Sequence, residues 1–431
     1  MSTEEIYKIY KRHPQITTDS RSVAAGSIFF ALKGEAFDGN NFAEAALRQG
    51  AAWAVVDTTD LKSHKNMILV DDVLQVLQQL AQHHRRQLGI PVIGITGSNG
   101  KTTTKELVSK ALQTKFRTLA TRGNLNNHIG VPLSILSITD DTEIAVIEMG
   151  ANHRGEIAAL CRIARPDYGI ITNIGRAHLE GFGGFAGVIK AKTELYDFIR
   201  ANGGHLFVHH DDELLMEKSS GIPRTTYGAL PGADVQGFIT EKFPSLALQL
   251  THPAKGTAIN TQLAGSYNFA NVMAAVAIAR YFGADLQQVA EALQNYKPVN
   301  NRSQWQTTSH NKLLIDLYNA NPGSMTAVLE NFALAPYANK IVILGDMLEL
   351  GDESHSAHAA IIEMSRKADF EKVVLVGKQF SAFADEASEM FLFYKNSDAA
   401  REAINKMNLK NKTILLKGSR GIRLEKILDV L

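Results

Sequence analysis

The chain has 431 residues, enough for two to four domains at the roughly 100 to 200 residues usual for one. Lys plus Arg number 45 against 44 Asp plus Glu, a formal net charge of +1, so no basic excess points to nucleic acid or an anionic membrane, and small-molecule work is expected. The N-terminal stretch from Met1 to Tyr7 carries acids where a signal peptide carries bases, no apolar run reaches ~18 residues, and the single Cys161 cannot form an intrachain disulfide. The expectation is a soluble, cytoplasmic protein with no membrane insertion, in which Cys161 packs as a small hydrophobe.

In chain order, 27–32, 52–57 and 67–70 read as strands, and 41–49 and 73–86 as helices. They make a small α/β unit with its own core, over residues 1–88, that ends in a polar junction, Arg85-Arg86-Gln87-Leu88-Gly89. The apolar run 90–93 reads as a strand, 94–104 as a glycine loop and 101–114 as a helix; 143–149 and 168–174 are further strands. Between 203 and 261 a Gly-, Pro- and Thr-rich region has strand-like pieces but weak periodicity, and reads as a β-rich addition. Helices return at 268–282 and 286–295, and Lys297-Pro298-Val299-Asn300-Asn301-Arg302 reads as a linker. After it, strands at 312–317, 340–344, 372–377, 391–394 and 413–416 alternate with helices at 324–332, 399–407 and 422–431, the pattern of a parallel sheet covered on both faces. The fold class expected is α/β in three domains: a small N-terminal α/β domain (1–88), a central P-loop domain with a mostly parallel sheet (89–300) and a C-terminal Rossmann-like domain (301–431). Ligands belong at the domain junctions.

The glycine loop carries the strongest chemical signal. Gly97-Ser98-Asn99-Gly100-Lys101-Thr102-Thr103, between a strand and a helix, is a phosphate cradle: helix N-terminal N–H groups lack intrahelical partners, and glycine lets them close around an anion. Lys101 supplies a mobile positive charge and Thr102 a hydroxyl for a nucleotide-bound Mg²⁺. The longer G-x-x-x-x-G-K-[ST] pattern wants glycine at position 95, where this chain has Ile95, so the match is to the shorter G-x-x-G-K-T. These residues leave hydrolase, kinase and ligase open. Glu148 ends one strand and His178 follows the end of another, where ligands of an open α/β sheet sit. A carboxylate suits Mg²⁺ better than an imidazole does, and an acid at a strand end is equally a cap or surface ion pair, a lone His equally structural. Lys190 and Lys192 fall in a helix, where lysines ordinarily mark the solvated face.

Together these residues resemble the Mur ligases, ATP-dependent amide-bond ligases of cell-wall precursor synthesis, nearly end to end. Thr18-Asp19-Ser20-Arg21, with Ser27 to Gly34 and Asp38-Gly39, is similar to the family's uridine-diphosphate-binding motif; Gly97 to Thr103 matches its form of the phosphate loop; Gly123-Asn124-Leu125-Asn126-Asn127-His128 resembles the stretch that faces the muramoyl group. The runs that start at Glu148 and Ala177 fit its metal-site segments. Tyr318-Asn319-Ala320-Asn321-Pro322, Leu344 to Gly351 and Lys417-Gly418-Ser419-Arg420-Gly421 resemble the branch that adds D-alanyl-D-alanine; the Asp-Asn-Pro-Arg motif of the sibling that adds the third amino acid is absent. Asn40, Tyr267 and Ile315 depart from the family pattern.

The resemblance implies the substrates UDP-N-acetylmuramoyl tripeptide, D-alanyl-D-alanine and ATP, with Mg²⁺, two ions, in a peptidoglycan-synthesis enzyme that acts as a monomer. It implies that the tripeptide carboxylate is activated as an acyl phosphate, with the C-terminal domain closing to exclude water. It implies that Ala191-Lys192-Thr193-Glu194 is the run whose lysine is carbamylated by CO₂, so that the anion at Lys192 joins His178, Glu148 and Thr102 around metal, with Lys101, His178 and Lys192 catalytic. Asn268, Asn271, Arg302 and Asp316 are then expected at the nucleotide, and Ser20, Arg21, Lys33, Gly34, Asn124, Asn126, Asn127, Tyr318, Asn319 and Asn321 at the other substrates. The Asn-Ala-Asn-Pro segment also reads as a strand-to-helix turn held by Asn side chains. A sibling ligase for a single amino acid and a non-catalytic nucleotide-binding relative are the alternatives, and the third residue of the tripeptide stays open.

Overall fold

Three mostly parallel sheets lie along the chain in this computed structural model, which describes residues 1–61, 65–298 and 301–431. Val299 and Asn300 of the expected linker lie outside the described residues. The first sheet takes the parallel order Ile16–Thr17, Ile28–Phe30, Trp53–Val56, Met67–Leu69, with a hairpin of Lys33–Gly34 and Phe37–Asp38 beside it. One face of this sheet has its own small core, including Phe29, Ala46 and Val56. The other face does not close on itself: Ile6, Tyr10, Leu77 and Leu80, from helices Thr3–Arg12 and Val73–Gln87, share one apolar cluster with Val92 and Ile147 of the central sheet and Tyr196 of helix Phe185–Ala201. The expected junction at Arg85 is therefore packed structure, because Arg85 ends the helix and is buried, donating to the carbonyls of Ala164, Leu88 and Arg165 and to Asp167.

The central sheet has nine strands. From the middle to one edge it runs Tyr168–Ile171, Val92–Thr96, Ile144–Glu148, Thr118–Ala120, all parallel, and buried, largely β-branched residues fill Val92–Thr96 and Ile144–Glu148 because helices cover both faces. The 203–261 region is not a separate addition. His205–His209, Arg224–Gly228 and Val235–Glu241 continue the same sheet in parallel, Ala247–His252 and Ala258–Asn260 close it antiparallel, and a short helix, Glu213–Lys218, interrupts them. Hydrophobic periodicity is weak there because the strands are short and irregular in pattern: His205–His209 has a continuous apolar run, Arg224–Gly228 only one large apolar residue, Tyr227, and Val235–Glu241 ends exposed.

The third sheet runs Gln304–Thr307, Lys312–Asp316, Thr413–Lys417, Lys340–Gly345, Lys372–Val376, Phe391–Tyr394, antiparallel only in the first pair. The expected helix at 422–431 is instead two 3₁₀ turns, Arg420–Ile422 and Leu424–Val430. Buried Leu424, Ile427 and Leu431 recur every third residue or so, the repeat that a three-residue turn stacks on one side.

Neighbours of Val92–Thr96 lie on opposite sides, so the crevice outside its C-terminal end is the switch point of the central sheet. The C-terminal ends of Lys312–Asp316 and Thr413–Lys417 face the same crevice from the third unit, since Asp316 and Lys417 line it.

Candidate active site

A single cleft of about 810 Å³ draws its walls from all three units. Its floor is the loop between strand Val92–Thr96 and helix Lys101–Leu112. Gly97 has φ +144°, and a Cβ there would lie 2.0 Å from the Thr172 hydroxyl, so only glycine lets the loop pass. Gly100 starts the helix at φ +78°, with Asn271 Oδ1 2.7 Å from where a Cβ would be. The loop is tied down from the neighbouring strand: Ser98 Oγ donates to Gly175 O at 3.0 Å, Asn99 N to Asn173 Oδ1 at 3.0 Å, and Thr172 Oγ1 to Asn99 O at 2.6 Å. Lys101 Nζ folds over the loop, donating to the carbonyls of Gly97 at 2.6 Å and Ser98 at 3.0 Å. Burial lowers its pKa to about 8, with Glu148 opposing the fall and Arg302 adding to it.

Glu148 is buried at the end of its strand. Its Oε1 accepts from Thr102 Oγ1 at 3.2 Å and Asn126 Nδ2 at 2.7 Å, while Oε2, also buried, has no partner. A buried carboxylate oxygen without a donor is costly unless a cation meets it, so the pair Thr102 and Glu148 fits a hard divalent ion. Lys192 is the second unusual group. It sits inside helix Phe185–Ala201 on the packed side, 2% exposed, whereas Lys190 of the same helix is exposed. Its Nζ meets only the Ala151 carbonyl at 3.4 Å and the Phe182 ring at 5.0 Å. Burial, then repulsion from Lys101, brings its pKa down to about 7 despite Glu156 and Glu194, so much of it is a neutral amine at neutral pH.

His178 lines the cleft in the left-handed conformation, φ 52°, and its Nδ1 contacts Glu349 of the third unit. Burial lowers its pKa more than Glu349 raises it. Among the described residues no three His, Cys, Asp or Glu side chains converge as a ready-made metal centre. Glu148 and His178 both line the cleft, with Lys192 buried behind Ala151.

On the nucleotide side, Thr104 Oγ1 donates to Asn271 Oδ1 at 3.0 Å, Asn271 Nδ2 to Asn268 Oδ1 at 2.9 Å, and Asn268 Nδ2 to Ala264 O at 2.8 Å, a chain that sets both amides beside Gly100. The Arg302 guanidinium stacks 3.6 Å over the Tyr318 ring, and its buried Nε has no partner. Asp316 Oδ2 accepts from Lys417 Nζ at 2.7 Å, and the same lysine reaches Asn319 O at 3.1 Å. Asn321 caps helix Pro322–Leu334 through Ser324 N at 2.9 Å and donates from Nδ2 to Asn99 Oδ1 at 2.7 Å, so one side chain both holds the turn and joins the third unit to the phosphate loop.

Of the residues expected here, Ser98 to Thr103, Asn126, Asn127, Glu148, His178, Asn268, Asn271, Arg302, Asp316, Tyr318 and Asn319 line the cleft. Gly97 and Asn321 adjoin it through the contacts above. Ser20, Arg21, Lys33, Gly34 and Asn124 do not line it: Arg21 is exposed and clasped by Asp19 at 2.8 Å, and Lys33 pairs with Asp57 at 2.8 Å on the first unit. Departing residues are accommodated. Asn40 is buried between Asp38 and Asp57, Tyr267 bonds Ser303 at 2.8 Å, and Ile315 is packed in its strand. Gln78, Gln82 and Arg162 line the cleft without having been singled out, and so does Lys417, which stands in the branch motif with no role assigned there.

Comparison with known proteins gives the same picture. Residues 14–85 match the Mur ligase family catalytic domain, 95–279 the Mur ligase middle domain, and 301–420 the Mur ligase glutamate ligase domain. The UDP-N-acetylmuramoyl-tripeptide--D-alanyl-D-alanine ligase of Bacillus subtilis is 36% identical over 96% of this chain and 92% of its own. Among solved structures, the UDP-N-acetylmuramoylalanyl-D-glutamyl-2,6-diaminopimelate--D-alanyl-D-alanyl ligase of Acinetobacter baumannii superposes with TM-score 0.85 at 30% identity over 99% of this chain and 97% of that one. The MurF ligase of Thermotoga maritima in complex with ADP does so at 0.84 and 26% identity over 96% of each chain. With all three units matched in order and the phosphate loop lying where they meet, the chain belongs to the Mur ligase family.

Proposed function

We propose that the chain is the ATP-dependent ligase that joins D-alanyl-D-alanine to UDP-N-acetylmuramoyl tripeptide, releasing UDP-N-acetylmuramoyl pentapeptide, ADP and phosphate in peptidoglycan precursor synthesis. The observation that carries this is the cleft itself, where a phosphate loop, a buried carboxylate with an open oxygen and an Arg302–Tyr318 stack from another unit face one space. A plain kinase has no need of the third wall, and relatives such as those of Bacillus subtilis and Acinetobacter baumannii, 30% or more identical over nearly the whole chain, are named as D-alanyl-D-alanine-adding ligases.

Each step uses residues of the chain. The tripeptide carboxylate attacks the γ-phosphorus of ATP, the bond from that phosphorus to the bridging oxygen breaks and ADP leaves, and Lys101 turns from its loop carbonyls to the transferring phosphoryl oxygens, where it offsets developing charge. Loop N–H groups at the helix N-terminus hold the phosphates. Asn268 and Asn271 lie toward the base, and Arg302 and Asp316 toward the sugar; an ADP complex of a related ligase supports a nucleotide here. Bound Mg²⁺, two ions, would supply charge neutralisation at the phosphates, held by Thr102 and Glu148 and by His178 with Lys192 as its carbamate. Carbamylation takes the neutral Lys192 amine and CO₂ to an N-carboxylate and a proton, and burial favours the neutral amine. The amine of D-alanyl-D-alanine then attacks the acyl phosphate carbon and phosphate leaves. Asn321 and Tyr318, with the third unit seated on the loop, keep water from the acyl phosphate. For the remaining substrate contacts we assign Asn124, Asn126, Asn127 and Asn319 to the peptide side, and Ser20, Arg21, Lys33 and Gly34 to the uridine diphosphate.

The units 1–88, 89–300 and 301–431 are assigned to UDP-substrate binding, ATP chemistry and closure with dipeptide binding. One chain supplies every wall of the cleft, which supports a monomer. Use of ATP and a UDP-linked substrate supports a cytoplasmic location; among the described residues no helix is long and apolar enough to cross a membrane.

The test is phosphate release from ATP and Mg²⁺ with UDP-N-acetylmuramoyl tripeptide, comparing D-alanyl-D-alanine, single amino acids and no amine, with products followed by mass. Turnover with the dipeptide alone, yielding pentapeptide, is expected. Turnover with a single amino acid would move the chain to a sibling activity, and none with any amine would leave a nucleotide-binding protein without ligase chemistry.

A further inference from the structure

One arm of the cleft runs away from the phosphate loop, between the first unit and the central one. Its central wall is helix Glu156–Ala164, which presents Glu156, Ala159, Arg162 and Ile163 at three-, six- and seven-residue spacing. Facing it are Gln78 and Gln82, one turn apart on helix Val73–Gln87, with Gln78 fixed by its amide donating to His128 O at 3.0 Å.

The charge in this arm is lopsided. Glu156 is occupied: its Oε2 accepts from the backbone N–H groups of Asn152 at 2.7 Å and His153 at 3.1 Å, and its Oε1 meets His153 Nδ1 at 3.2 Å. The Arg162 side chain is exposed and has no hydrogen bond or ion pair among the described residues, and it lies on the cleft wall. The arm therefore offers a guanidinium fork and two amides, with its one carboxylate already held by donors. A guanidinium fork matches a carboxylate bidentately and repels an ammonium group.

We infer that Arg162 is a specificity residue for a free carboxylate on the tripeptide, and that the third residue is a carboxylate-bearing diamino acid of the diaminopimelate type in preference to lysine. This rests on the ligase function proposed above. A lysine side chain would end in an ammonium against Arg162, while a diaminopimelate side chain ends in a carboxylate and an amine, which the fork and the glutamine amide oxygens can share. The peptide in the name of the Acinetobacter neighbour contains a second free carboxylate, on its glutamyl residue, and the two sources separate by experiment.

The experiment measures kcat and KM for the tripeptide, with ATP and D-alanyl-D-alanine saturating, in the wild type, Arg162→Gln and Arg162→Lys. Two substrates are compared, one with diaminopimelate and one with lysine as third residue. The expected result is a lower wild-type KM for the diaminopimelate peptide. Its KM should rise roughly 10-fold or more in Arg162→Gln, as for loss of a charged hydrogen bond, with kcat and the KM for ATP little changed, partial rescue by Arg162→Lys, and little effect on the lysine peptide. An equal rise for both peptides would assign Arg162 to the glutamyl carboxylate and overturn the diaminopimelate preference. Unchanged KM for both in an active variant would overturn the role of Arg162. No turnover of either peptide by the wild type would overturn the ligase function itself, and this inference with it.

Discussion

Replacing Lys192 with methionine should stabilise the protein while abolishing its activity, and the stabilisation should depend on pH. Lys192 is 2% exposed, and burial, with Lys101 adding, lowers its pKa from 10.5 to about 7. At ~1.4 kcal/mol per unit, that fall corresponds to about 5 kcal/mol for holding the charged form in place, and structural relaxation would reduce it to roughly 2–5 kcal/mol. The sign follows from proton counting. Between about 7 and 10.5 the unfolded chain keeps the Lys192 proton and the folded chain does not, so the wild type gains stability as pH rises through that window; below about 7 both states are protonated and the full cost is present. Methionine is close in length, packs well against the Phe182 ring that Lys192 now faces, and does not titrate. The assay is urea unfolding of wild type and variant in CO₂-free buffer at several pH values from 6 to 10, reading the difference between them so that other titrating groups cancel. Methionine should be the more stable form at pH 6, with the gap shrinking toward pH 10. A gap that does not change with pH, or a variant less stable throughout, would refute a buried, depressed Lys192 and with it the physical basis for carbamylation.

Other perturbations test the remaining parts of the site. Lys101→Ala should reduce ADP formation by on the order of 1,000-fold while UDP-substrate binding, followed by calorimetry, stays within a few-fold of wild type; unchanged turnover would remove the phosphate loop from the chemistry. Glu148→Gln keeps the shape that Thr102 and Asn126 hold but removes the charge, so the Mg²⁺ concentration for half-maximal activity should rise about 10-fold or more, and an unaltered Mg²⁺ curve would rule Glu148 out as a ligand. Lys417→Met leaves Asp316 without its partner, a loss of about 3 kcal/mol for a buried pair, so thermal unfolding of the third unit should come earlier and the KM for ATP should rise; a variant with wild-type Tm would place that pair outside the stability of the unit.

Much of this protein could be read along its sequence because the relevant signals are local. A glycine loop between an apolar strand and a helix is specified by neighbouring residues, and the alternation of strands and helices after residue 301 dictates a parallel sheet whatever the rest of the chain does. Motif strings long enough to resemble a family carried the site residues with them. Tertiary structure decided what depends on distant packing. Lys192 and Lys190 look alike two residues apart in one helix, and only burial, with Lys101 brought near, makes Lys192 a depressed amine. The polar-looking Arg85 is buried because carbonyls of the central unit surround it, and the first unit completes its core on that unit instead of on itself. The strands between 203 and 261 belong to the central sheet because pairing runs through hydrogen bonds between segments far apart in sequence, which no local pattern encodes. Arg162 and Lys417 gain their meaning in the same way: an isolated charge in a sequence says little, and whether it is answered, buried or left facing a cleft is settled by chain that lies elsewhere.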